Sequence, residues 1–128
     1  MDAIVYRKPV KMSELVMTVA KELIDNEMKP TSRHNCPDTE FCIFTKQYVE
    51  SCTSDLICYL DYSPNVTNDG EEEFSEFVLR EGLKMYCNGQ LLEDVIYNIL
   101  IQNVHPSAKV LIDALNHYMA YDAFLVFD

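Results

Sequence analysis

Three histidines, five cysteines and one acidic twelve-residue stretch are the parts of this chain that could do chemistry. His34, His105 and His117 share no metal-ligand spacing, so capping or surface roles account for them better than ligation. Cys36, Cys42, Cys52, Cys58 and Cys87 include no C-x-x-C, and zinc sites want closely paired ligands. The odd count fits reduced thiols acting as small hydrophobes in a reducing compartment. A cysteine nucleophile needs a positioned base, and the sequence pairs none of the five with one. G-x-S-x-G, H-E-x-x-H and phosphate-loop patterns do not occur. The expectation is a binding role, not catalysis, with no metal and no cofactor.

The acidic stretch, Asn65 to Glu76, reads N-V-T-N-D-G-E-E-E-F-S-E. Asp69, Gly70 and Glu76 stand where a calcium loop has its fifth, sixth and twelfth residues. The first position, however, is Asn65, the third is Thr67, and Glu72 replaces the aliphatic eighth residue. An acidic surface loop is the better account.

The whole chain is acidic as well: 21 Asp and Glu against 10 Lys and Arg, a net charge of -11. That argues against nucleic acid and anionic membrane surfaces, which call for a basic patch, and it permits a cationic peptide partner. A hydrophobic content of 48% rules out disorder as the default. The 128 residues fit one domain, 1–128, able to bury roughly 65% of its unfolded surface. The amino-terminal residues have no apolar signal core. No apolar run approaches the roughly 20 residues that span a bilayer. The Asn65-Val66-Thr67 triplet matches a glycosylation acceptor, a pattern that often arises by chance.

The elements that would position these groups read mainly as helices. Leu15, Val16, Val19, Ala20, Leu23 and Ile24 recur at three- and four-residue steps and predict a helix over about 12–28. A proline-punctuated turn follows to residue 37. Phe41, Phe44, Tyr48, Val49, Cys52, Leu56 and Tyr59 make an apolar stripe, predicting helix over about 38–60. Low helix propensity makes a strand over 41–45 the competing reading. A polar loop, 61–70, precedes a third helix expected to begin at Glu71-Glu72-Glu73, where acid suits the helix dipole, and to run to Gly82. Leu91, Leu92, Val95, Ile96, Ile99 and Leu100 predict a fourth helix over about 90–103, apolar nearly all round and so central. A fifth begins at Pro106, and an aromatic segment runs from Tyr121 to Phe127.

Within this pattern, Glu76-Phe77-Val78-Leu79-Arg80-Glu81-Gly82-Leu83 runs an apolar stripe into Arg-Glu-Gly, ahead of the most apolar helix. That order resembles the first homology region of the Bcl-2 family of apoptosis regulators. Ser13-Glu14-Leu15-Val16 resembles the family's amino-terminal helix. Asp38-Thr39-Glu40-Phe41 resembles the tail of its death motif, with His34 near the place of the expected leucine. Tyr121-Asp122-Ala123-Phe124 resembles its second homology region. The usual Asn-Trp-Gly-Arg after the glycine is missing, and with it the arginine that grips a ligand's aspartate. Small size and eroded motifs resemble the compact viral members carried by iridoviruses and poxviruses.

The resemblance implies an all-α helical bundle around a central hydrophobic helix. It further implies a groove that sequesters the death helices of pro-apoptotic proteins such as Bim or Bak, in the host cytoplasm and near mitochondria through those partners. Groove walls would come from Phe41, Phe44, Tyr48, Cys52, Phe74, Phe77, Val78 and Met85, with Arg80 or Lys84 as the polar clamp. Such a groove leaves apolar surface exposed, and Phe124, Val126 and Phe127 add more, so a homodimer is expected. Two alternatives stay open: a viral adaptor of the same fold that binds signalling proteins, and an unrelated small enzyme or calcium protein.

Overall fold

The computed structural model describes residues 6–25, 41–103 and 105–126. Within them the chain runs β1 (Val10–Lys11), α1 (Met12–Asp25), β2 (Phe41–Thr45), β3 (Ile57–Tyr62), β4 (Asn65–Val66), β5 (Glu72–Glu73), α2 (Glu76–Glu81), β6 (Lys84–Asn88), α3 (Gly89–Leu100) and α4 (Ala108–Tyr121). Four strands form one antiparallel sheet in the order β1-β3-β2-β6, and β4 pairs with β5 in a separate ribbon.

The expected all-α bundle is therefore corrected to a mixed α/β architecture. The physical reason lies in 38–60, where the apolar stripe suggested helix. Phe41-Cys42-Ile43-Phe44-Thr45 is aromatic and β-branched, and β2 buries all five side chains, because both of its faces are covered. A strand buried on both sides shows no alternation. Ile57 to Tyr62, the end of the same stripe, is β3, paired with β2 through Ile43↔Leu60 and Phe44↔Tyr59. Residues 38–40, and His34 with them, lie outside the described residues.

The three long helices lie on one face of the sheet and contact one another. Their stripes match the period in the sequence. From α1 come Met12, Leu15, Val16 and Val19; from α3 come Leu92, Val95, Ile96 and Ile99; from α4 come Leu111, Ile112, Ala114 and Leu115. These pack on Ile43, Cys58, Leu60 and Cys87 of the sheet to make the main core. The opposite face holds a smaller core in which Val78 and Leu83 cover Cys42 and Phe44, flanked by Tyr59, Phe74 and Phe77.

The third helix is shorter than expected. Glu72 and Glu73 belong to the ribbon, and α2 starts only after Ser75, whose side chain accepts from the Val78 N–H. It stops at Gly82, which takes a left-handed φ of 65° and sends its N–H back to Leu79. The Arg-Glu-Gly turn is thus a helix stop that delivers the chain into β6. Likewise Asp122, left-handed at φ 54°, closes α4 with its N–H on the Tyr118 carbonyl, 2.7 Å away. A bulge between Ile43 and Phe44 leaves Tyr86 without a register partner in the β2–β6 pair.

Candidate functional site

Where β3 leaves the sheet, the chain turns through Ser63-Pro64 into the β4–β5 ribbon and re-enters α2 at Ser75. This excursion encloses an open cleft of about 690 Å³, lined by Tyr62, Ser63, Pro64, Asn65, Glu73, Phe74 and Ser75. Asn65 stands opposite Glu73 across the ribbon, and Val66 opposite Glu72. The ribbon tip is tied by Thr67, whose N–H donates to the Glu71 carbonyl at 2.8 Å, and by Gly70 at a φ of 82°. Asp69, Glu71, Glu72, Glu73 and Glu76 are all exposed on these elements. Tyr62 is 60% exposed, and Phe74 is half-buried with its ring edge-on to Phe44 at 6.1 Å.

Beneath the cleft lies Asp61, a carboxylate with no exposure at all. It sits on the α2 side of β3, opposite Cys42. A buried charge needs partners, and Asp61 has three. Arg7 Nε donates to Oδ1 at 3.1 Å, the Tyr62 N–H donates to Oδ1 at 2.8 Å, and the Ser75 hydroxyl donates to Oδ2. Ser75 therefore both caps α2 and fixes the carboxylate. Arg7 is half-exposed, adopts a left-handed φ of 65°, and lies over the rings of Tyr62 and Phe77. Amino-terminal segment, sheet and helix thus meet at one carboxylate.

The thiols show no sign of activation. Cys42, Cys52, Cys58 and Cys87 are buried and free, and Cys36 lies outside the described residues. Burial pushes the Cys58 thiol up to about 12 and raises Cys42, Cys52 and Cys87 as well. Burial likewise raises the Tyr86 phenol, which faces Cys52. Among the described residues, no three His, Cys, Asp or Glu side chains are grouped to hold a metal ion. The region that resembled a calcium loop is the ribbon and the start of α2.

The ten residues expected to line a groove divide between the two faces of the sheet. Phe41 and Cys52 belong to the main core under the helices. Phe44, Phe74, Phe77 and Val78 come together in the smaller core on the other face. Arg80 is exposed on α2, over the Phe77 ring at 5.8 Å. Tyr48, Lys84 and Met85 border a small pocket of about 200 Å³ with Thr45, Tyr86 and Met119. These positions do not form one wall, because a sheet stands where a helix-lined groove was expected.

Arg7, Asp61, Tyr62 and Ser75 were missed by sequence reasoning. One signal was available: Asp61 interrupts the otherwise apolar and aromatic run Ile57-Cys58-Tyr59-Leu60, which marks a buried polar group needing partners. No helix among the described residues is long and apolar enough to cross a membrane.

Nothing among the curated proteins or the solved structures matches the chain. Residues 31–127, which include the cleft and every described element from β2 onward, match the model of a family described as a domain of unknown function (DUF7716), and the chain belongs to that family.

Proposed function

We propose that this chain is a protein-binding domain that acts by occupying a cationic partner, with the cleft beside the β4–β5 ribbon as its contact site. The observation that carries the reading is the cleft's position. Glu73 lines it, the neighbouring Glu71, Glu72 and Glu76 are exposed on the ribbon and at the start of α2, and Tyr62 and Phe74 give it aromatic surface. A field of one sign steers an oppositely charged partner and sets orientation, and aromatic area supplies contact energy once water is excluded. The net charge of -11 acts in the same direction over longer range. Binding fits the cleft better than turnover. The Ser75 hydroxyl donates to Asp61 and accepts from the Val78 N–H, so it serves as a structural bridge.

The experiment is calorimetric titration against folded proteins that span basic to acidic isoelectric points, together with death-motif helical peptides. It is run at low and at physiological salt. Binding to basic members only, weakened by salt and lost in the Glu72→Lys, Glu73→Lys double variant, is the expected result. Binding that ignores partner charge, or that is confined to death-motif helices, would overturn the proposal.

A further inference from the structure

We infer that the cleft takes an arginine side chain of its partner, in preference to lysine, by laying a guanidinium on its aromatic wall beside a carboxylate. This rests on the cationic-partner reading above and names the chemistry of that contact. The chain displays the same recognition within itself, at the rim of the cleft. Arg7 places its guanidinium carbon 6.0 Å from the ring centre of Tyr62 and 6.0 Å from that of Phe77, while its Nε donates to Asp61 at 3.1 Å. Arg80 repeats the stacking on Phe77 at 5.8 Å.

Tyr62 belongs to both arrangements: it borders Arg7 and it lines the cleft. Its ring is held by Tyr6 at 4.8 Å, inclined at 63°. Phe74, the second ring of the cleft, is held by Phe44 at an interplanar angle of 84°. Both rings are thus set before any ligand arrives. Glu73 adds a carboxylate to the same lining. A guanidinium is planar, weakly hydrated and able to stack on a ring while sending two parallel bonds to a carboxylate. An ammonium is compact and strongly hydrated, and it gains less from the same surroundings. The cleft volume of about 690 Å³ lies within the range of ligand sites, about 300–1,000 Å³, so it can hold the side chain with flanking backbone.

The test is an NMR titration of the isotope-labelled chain with the amides of tetra-arginine and tetra-lysine, which carry equal charge. The dissociation constant for tetra-arginine should be about five-fold lower, with the largest shifts at Tyr62, Ser63, Asn65 and Phe74. Tyr62→Leu keeps an apolar side chain at an exposed position. It should weaken tetra-arginine more than tetra-lysine and bring the two constants together, while unchanged amide shifts of the α1, α3 and α4 core verify that the variant is folded. Equal affinities with shifts centred on the cleft would overturn the arginine inference and leave the cationic-partner reading standing. No binding by either peptide, or shifts centred elsewhere, would overturn both.

Discussion

Gly89, the first residue of α3, lies against Phe41 of β2 so closely that a β-carbon there would stand 2.8 Å from the Phe41 carbonyl oxygen and 3.0 Å from two carbons of its ring. Neither neighbour can yield easily, because the oxygen is backbone and the ring is buried in the main core. Gly89→Ala should destabilise the fold by about 1–3 kcal/mol, the usual cost of overpacking, which exceeds the gain in helix propensity of about 1 kcal/mol. Urea unfolding should show a lower midpoint at an unchanged slope. A raised midpoint would mean that α3 stands farther from β2.

Asn116 of α4 holds the loop between β2 and β3 by a pair of bonds. Its Oδ1 accepts the Cys52 N–H at 2.8 Å, and its Nδ2 donates to the Cys52 carbonyl at 2.9 Å. Cys52 is buried, so Asn116→Ala strands a donor and an acceptor together. The expected loss is about 2–4 kcal/mol. Faster hydrogen exchange of the Cys52 amide, beyond the global change in stability, would confirm the local cause.

Arg7 and Ser75 both donate to Asp61, so their contributions should not add. Ser75→Ala removes the cap of α2 and one donor to the carboxylate, at a cost of about 1–2 kcal/mol. Arg7→Met takes the cation from a carboxylate that has no exposure, and should cost more than Ser75→Ala. A double-mutant cycle should reveal a coupling of at least about 0.5 kcal/mol. Strict additivity would show that Asp61 does not link them.

Alkaline pH should unfold this protein, and the buried thiols supply the reason. Cys58 titrates at 9.0 in an unperturbed chain and is pushed up to about 12 by burial in the fold. Below about pH 9 folded and unfolded chains both hold the proton, and stability is at its full value. Between about 9 and 12 the unfolded chain ionises while the folded one does not, so stability falls as pH rises. Burial raises Cys42, Cys52, Cys87 and the Tyr86 phenol in the same sense. Thermal midpoints measured from pH 8 to pH 11 should fall, and Cys58→Ala should flatten the fall. At pH 8 a thiol reagent should modify these four cysteines only as fast as the protein opens.

The helices were legible where one side of the element meets solvent. The stripes of α1 and α4 have that form, whereas α3 has no fully exposed residue and is legible from its apolar run, and the expected bounds agree within a few residues as far as the described residues reach. For residues 41–45 the strand stands only as the competitor of a helix over 38–60, because all five side chains of β2 are buried, which erases the alternation that marks a strand. The stripe from Phe41 to Tyr59 mimicked a helix by joining β2, a loop and β3 at three- and four-residue steps. The helix expected from Glu71 to Gly82 exists only as Glu76–Glu81, because Glu72 and Glu73 pair in the ribbon; its end at Gly82 agrees, and the αL cap alone satisfies the glycine's role. The cleft escaped notice for a different reason. Its lining is local, from Tyr62 to Ser75, yet the carboxylate beneath it takes a partner from Arg7, which no nearby pattern announces.

The strand order β1-β3-β2-β6 has a consequence for how the chain comes to its fold. β2 can pair with β3 early, across the loop 46–56, but its other edge must wait until Lys84 to Asn88 have been made. Until then the most apolar strand of the molecule presents open backbone to its surroundings. Chains crowded together at that stage can pair with each other through the Phe41–Thr45 edge before β6 arrives. Recovery of soluble protein should therefore be limited by the rate of synthesis, and slowing production in the cold should raise yield even though the finished fold is unchanged.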